Sequence, residues 1–245
     1  MVSGKKKRLD ALLVERALAA DDTEARALIG AGLVLVNTGN HYKAGSLVPA
    51  DAEVTVKKRR RFVSRGGEKL EGGLRELNVD PGGWICADIG CSTGGFTDCL
   101  LQHGAARVYA VDVGYGLLDW KLRQDKRVVV LERTNARYLT EKELPEPLDF
   151  AVMDASFISL GRLLEPLLPF FGRKIRIMAL VKPQFELPRK KVGPGGIVRQ
   201  AELHEEAVDR VREFGKRAGL QVKGAVASPV CGARGNREFL LYFTS

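Results

Sequence analysis

The spacing of apolar positions changes character about a quarter of the way along the chain. Leu9, Leu12, Leu13, Ala17 and Leu18 recur at the interval of one helix face. A second helix is predicted over residues 23–31, with Asp21 and Glu24 as a capping-box-like start and Gly32 as its stop. Residues 33–37 and 52–56 read as short strands, separated by a turn-rich stretch holding Gly39, Asn40, Gly45 and Pro49. From about residue 66, apolar runs alternate with amphipathic ones. Strands are predicted at 84–89, 108–113, 128–131, 150–153, 175–181, 222–227 and 239–243, with helices near 95–103, 117–123, 160–170 and 202–218. Five strands joined by crossovers imply a mostly parallel sheet with helices on both faces, and the short Gly/Pro/Asn link at 228–236 makes the last two an antiparallel hairpin. The expected class is α/β: a seven-stranded mixed sheet preceded by a small α+β unit.

Charge separates the two parts further. The 245 residues carry 39 Lys+Arg against 30 Asp+Glu, a net +9. Residues 1–65 hold 13 basic and 7 acidic side chains, so +6 of the +9 sits there, which suggests a polyanion-binding appendage on a nearly balanced body. Cys86, Cys91, Cys99 and Cys231 have no paired spacing and the three His are scattered, so neither a disulfide framework nor a metal site is expected. No window of about 18 apolar residues is free of charge, and the 9–20 stretch holds Asp10, Glu15 and Arg16. The expectation is a reduced cytoplasmic protein without membrane span or signal peptide.

The chemistry concentrates at predicted strand ends. Asp88, Gly90, Cys91, Ser92, Thr93, Gly94, Gly95 and Phe96 run from a strand through a glycine turn into a helix, where parallel sheets bind ligands. The spacing is neither that of dinucleotide binders nor that of phosphate-binding loops. Asp88 before the turn favours a cationic group such as an ammonium. Asp112, 22 residues after Gly90, can take both ribose hydroxyls of an adenosine. Together they point to S-adenosylmethionine more than to a nicotinamide cofactor. Asp154, Lys182 and Glu238 follow or open later strands, and Lys69 precedes the sheet, so the four form an acid–base constellation.

Lys69, Asp154, Lys182 and Glu238 have the order and contexts of the Lys-Asp-Lys-Glu tetrad of FtsJ-like RNA ribose 2′-O-methyltransferases. The chain also resembles the TlyA (haemolysin A) family in residues 63–70, 94–100, 111–116, 154–160 and 181–186. That resemblance implies a ribosomal-protein-S-four-like RNA-binding domain at 5–58, a basic linker at 59–65 and a Rossmann-like class I methyltransferase domain at 66–245. It implies methyl transfer to a cytidine 2′-hydroxyl in small- or large-subunit rRNA, with Val113, Asn135 and Asp154 also at the cofactor. Expected phosphate contacts are Lys5, Lys6, Lys7, Arg8, Arg26, Lys57, Lys58, Arg59, Arg60, Arg61 and Arg65. Asp21-Asp22 departs from the family, which usually places Ser-Arg there, so Arg8, Arg26 and the 57–61 cluster are the favoured contacts. Cys91, often Ala in the family, is read as an oxidation-sensitive spot.

Two roles for Lys182 stay open. An ordinary lysine keeps its proton to about pH 10, so a general base needs a neighbouring cation and desolvation to outweigh the carboxylates. Otherwise Lys182 steadies a developing oxyanion and Asp154 or water takes the proton. Base-nitrogen methylation would want an Asn/Asp-Pro-Pro-aromatic segment where Asp154-Ala155-Ser156-Phe157 stands, and Pro229-Val230-Cys231 is misplaced for base-carbon chemistry. The alternatives from other classes are a non-catalytic ribosome-assembly factor and a membrane-active haemolysin.

Overall fold

The structure, a computed structural model, describes residues 5–37, 39, 42–57 and 61–245. It divides into two compact units, Met1–Arg60 and Arg61–Ser245. The small unit runs β1 (Lys6–Arg8), α1 (Leu9–Glu15), α2 (Asp22–Gly30), β2 (Val34–Val36), β3 (Leu47–Pro49) and β4 (Val54–Val56). β1 pairs antiparallel with β3, and β2 with β4. Leu9, Leu12, Leu13, Ala25, Ile29, Val34, Val36 and Val48 close its core. The Asp21 side chain accepts from the Glu24 amide at 2.8 Å. The return bond of the expected box is displaced by one residue, since Glu24 accepts from the Ala20 amide at 2.6 Å. β1 and β3 add to the expected strands: each is three residues long, too short for a period to show.

The large unit runs α3 (Arg65–Glu76), β5 (Ile85–Ile89), α4 (Gly95–Gln102), β6 (Arg107–Val111), α5 (Trp120–Arg123), β7 (Val128–Leu131), β8 (Phe150–Met153), α6 (Gly161–Leu167), β9 (Arg176–Val181), α7 (Pro183–Glu186), α8 (Ala201–Arg217), β10 (Gln221–Ala227) and β11 (Phe239–Thr244). The seven-stranded sheet has the order β10-β11-β9-β8-β5-β6-β7. Its five central and edge strands β9-β8-β5-β6-β7 are parallel, and β11 lies antiparallel to both β9 and β10. Alternation along each strand separates two cores. Ala87, Ile89, Ala151, Met153, Ile177 and Ala179 face the α6 and α8 side, and Cys86, Val108, Phe150, Val152, Met178 and Leu180 face α3 and α4.

Two corrections to the expected organisation concern the start of this unit. Residues 61–65, expected as linker, are packed into it: Phe62 is buried in the α3–α4 core, and the buried Asp98 accepts from the Val63 amide at 2.9 Å. Ser64 then caps α3. That helix escapes a reading by pattern because Gly66, Gly67, Gly72 and Gly73 depress helix propensity. Close packing needs them: a Cβ at Gly72 would stand 2.7 Å from Pro229, and one at Gly73 2.8 Å from Leu240 and Met178. The helix expected at 117–123 shortens to α5, opened by Asp119, whose side chain accepts from the Lys121 amide.

Candidate active site

Sheet register brings the expected tetrad to one edge. Ile89 lies opposite Met153, and Phe239 opposite Val181. The residues just beyond, Gly90, Asp154, Lys182 and Glu238, therefore emerge together where the parallel strands end. Asp154 and Lys182 form one ion pair, Nζ to Oδ1 at 2.5 Å. Lys69 reaches from α3 to Glu238 for a second, Nζ to Oε2 at 2.5 Å. Lys182 also donates to the Ser156 hydroxyl at 2.8 Å. Lys182 and Glu238 are buried. The four charges cancel within the site, which lets burial proceed without an uncompensated ion.

Two cavities adjoin this edge and share Gly90, Ser92 and Asp154. The smaller, ≈ 210 Å³, is bordered by Asp88, the glycine turn, Lys69 and Arg65. The larger, ≈ 490 Å³, is bordered by Asp112, Val113, Asn135, Arg137 and Phe157. Gly90 holds the seam open: its φ is +84°, and a Cβ would stand 2.9 Å from the Asp154 carbonyl oxygen. A chain segment this narrow allows a ligand to span both cavities.

Asp88 is fully buried, and Oδ2 accepts from the Thr97 amide at 2.9 Å and its hydroxyl at 2.7 Å. Oδ1 has no partner among the described residues. Burial pushes this carboxyl up to about 7, against the Thr97 hydrogen bonds and with Asp154 adding to the rise. An orphaned carboxylate oxygen at a cavity wall fits a cation. In the larger cavity, Asp112 accepts from the Ser92 amide at 2.8 Å and the Gly114 amide at 2.7 Å. These bonds fix the carboxylate while leaving lone pairs for hydroxyl donors. Asn135 caps a short 3-10 turn by accepting from the Arg137 amide.

The remaining cofactor expectations divide. Cys91, Ser92, Thr93, Gly95 and Phe96 border the smaller cavity, and Val113 the larger. Gly94 does not: it is the left-handed N-cap of α4, packed under Leu118 and Leu122. Cys91 also departs from its expected role, because burial and the nearby Asp88 push its thiol up and make the reactive thiolate scarce. Ser156 and Thr97, which orient Lys182 and Asp88, carry no sequence signal beyond lying in the right segments. Phe157 adds a feature that periodicity could not show. Its backbone sits at φ +65°, its ring is 90% exposed, and it leans on Phe185 at 5.1 Å. A bulky residue held at that φ is strained.

The expected phosphate contacts are differently placed. Lys5, Lys6, Lys57 and Arg65 are exposed. Lys58, Arg59 and Arg60 lie outside the described residues. Lys7 pairs with Glu15 at 2.5 Å, and Arg61 pairs with Glu71 and stacks over Phe62. Arg8 forks onto the buried Asp10 at 3.0 and 2.7 Å, with Arg26 3.7 Å from the same carboxylate. The favoured pair Arg8 and Arg26 thus neutralises an internal charge while keeping exposed surfaces. No helix among the described residues is long and apolar enough to cross a membrane. No group of three or more His, Cys, Asp or Glu among them could hold a metal.

Residues 62–245 match the family of FtsJ-like methyltransferases. YqxC of Bacillus subtilis is 49% identical over 98% of this chain and 86% of its own length. The Mycobacterium tuberculosis protein named 16S/23S rRNA (cytidine-2′-O)-methyltransferase TlyA is 44% identical over 97% of this chain and 90% of its own. A solved hemolysin-named structure from Streptococcus thermophilus superposes with a TM-score of 0.75 at 41% identity, covering 98% of this chain and 88% of that one.

Proposed function

Because the chain belongs to the FtsJ-like methyltransferase family, we propose that it transfers a methyl group from S-adenosylmethionine to a cytidine ribose 2′-hydroxyl in rRNA of the small or large ribosomal subunit. The observation that carries this reading is the pair of ion pairs Lys182–Asp154 and Lys69–Glu238 beside cavities that end on Asp88 and Asp112. The name of the Mycobacterium tuberculosis relative supports the substrate.

When bound, S-adenosylmethionine supplies an electrophilic methyl group on a positively charged sulfur. Its ammonium group fits the open Asp88 oxygen, and its ribose hydroxyls fit Asp112, with Val113 and Asn135 at the adenosine end. Lys182 directs an N–H at the attacking 2′-oxygen and steadies the charge that develops there. Asp154, held against Lys182, receives the hydroxyl proton directly or through one water. With the donor held by these residues, the new oxygen–carbon bond would form as the carbon–sulfur bond breaks, its electron pair staying on sulfur. Lys69 and Glu238 keep the pocket neutral and the strand ends in register, so most of the catalytic effect is alignment. Phe157 presents an exposed ring on which a base can stack.

The small unit is read as an S-four-like RNA-binding domain over 5–58, with Lys5, Lys6, Lys7, Arg8, Arg26 and residues 57–61 and Arg65 on rRNA phosphates. Its cellular place is then the cytoplasm, with ribosomal subunits as partners. Incubation with labelled S-adenosylmethionine and either isolated subunits or naked rRNA tests the reading. Ribose label supports it. A protein that binds rRNA without transferring label would instead be an assembly factor.

A further inference from the structure

A third cavity of ≈ 530 Å³ lies outside the machinery described so far, between α6, the α7 exit and α8. Arg162, Arg210 and Arg217 border it with the rings of Phe185 and Phe214. All three arginines are exposed, and none is paired with a carboxylate among the described residues. The Arg217 guanidinium stacks over Phe214 at 4.9 Å. Two glutamates also border the groove. Glu186 is buried and turned inward, accepting from the Leu160 amide at 2.9 Å and the Ser159 hydroxyl at 2.6 Å. The groove thus sets three forked cations against two carboxylates: Glu165, which is exposed, and the buried Glu186, on which Arg210 acts by its charge.

The groove is tied to the reaction site through Glu186. This residue closes α7, which follows Lys182 directly, and its two bonds anchor the far end of the loop that begins at Asp154. Phe185 bridges the two places, since its ring borders the groove and touches Phe157 beside the larger cavity. Guanidinium forks interleaved with aromatic faces match the phosphates and bases of an unpaired nucleic-acid strand.

We propose that the Arg162–Arg210–Arg217 groove binds the phosphodiester backbone of the rRNA strand flanking the target nucleotide. This rests on the rRNA substrate reading above. A strand held there would be fixed on one side of the reacting ribose, independently of the small unit. Charge complementarity favours a polyanion, and the rings of Phe185 and Phe214 beside the arginines give the bases of an RNA strand faces to stack on.

The test uses the full chain, rRNA substrate and S-adenosylmethionine. In the triple variant Arg162→Gln, Arg210→Gln and Arg217→Gln, KM for rRNA should rise by about tenfold or more, and the salt slope of binding should fall by about 0.7 for each phosphate no longer neutralised. S-adenosylmethionine affinity and melting temperature report that the fold survives. The triple Arg→Lys variant retains charge and should recover most of the slope but less of the KM, because the fork is absent. Methylation by the wild type with unchanged KM and slope in the glutamine variant would overturn the groove alone. Absence of methyl transfer to rRNA by the wild type would overturn the substrate reading and the groove with it.

Discussion

Asp10 in the small unit and Asp88 in the large one are both buried aspartates, and they are treated in opposite ways. Arg8 forks onto Asp10 and holds its carboxyl below the usual range, with Arg26 close by. Asp88 receives only hydrogen bonds from Thr97, and burial drives it up to about 7. The first charge is satisfied by the fold itself and stabilises it. The second keeps an oxygen without a partner among the described residues, which on the reading proposed above is where the ammonium group would sit. The tetrad lies between these cases: its charges are paired, and two of its members, Lys69 and Asp154, border the smaller cavity while Lys182 and Glu238 lie behind them.

The largest expected effect falls on that intermediate case. Lys182→Ala should lower kcat by about 10³-fold, the scale for losing a group that steadies a developing oxyanion. Its S-adenosylmethionine affinity, read by calorimetry, should stay near the wild-type value, since Lys182 borders neither cavity. A comparable loss of cofactor affinity would place Lys182 in cofactor binding instead of at the reacting oxygen.

Asp88→Asn sharpens the contrast next. It should weaken S-adenosylmethionine binding by roughly 10- to 100-fold, the worth of a charged hydrogen bond. It should also raise the melting temperature of the cofactor-free protein at pH 8. The sign follows from the direction of the shift: a carboxyl raised from 3.8 to about 7 contributes stability fully present below pH 3.8 and lost as pH rises through about 7. A melting series from pH 4 to pH 8 should show wild type falling relative to the variant, and saturating cofactor should reverse the gap.

Asp10→Asn probes the other pole, with the opposite pH dependence. The Asp10 carboxyl is lowered from 3.8, so its contribution is present above that pH and disappears as pH falls through the folded value. The substitution should destabilise the small unit by about 1 kcal/mol at neutral pH, measured by hydrogen exchange of α1 and α2. It should do nearly nothing in strong acid. The smallest effect is expected from neutralising residues 57–61: rRNA affinity should fall and its salt slope flatten by about 0.7–0.9 per phosphate released. Unchanged affinity across low and moderate salt would remove that cluster from the interface.

How much of this is legible in the sequence depends on whether the signal is local. The strands expected at 128–131 and 150–153 coincide with β7 and β8 because uninterrupted β-branched and apolar runs leave few alternatives. Asp112, Asp154 and Lys182 are legible because each directly follows such a run, and Asp88 because a carboxylate interrupts one. α3 is hidden, since its four glycines look like a loop until Phe62, Pro229 and Leu240 are known to press against them. Partner choice is equally hidden. Nothing in the order of residues decides that Lys182 meets Asp154 while Lys69 meets Glu238, or that Arg8 turns to Asp10. Those pairings depend on loops and helices that converge only in the folded chain.

Product identity tests the central claim most directly. Wild type and Lys182→Ala, each saturated with S-adenosylmethionine, are incubated with ribosomal subunits, and the rRNA is digested to nucleosides for mass spectrometry. The account predicts 2′-O-methylcytidine from the wild type and, in the same time, about 10³-fold less from the variant. Equal yield from the variant, or a methyl group on the base instead of the ribose, would contradict it.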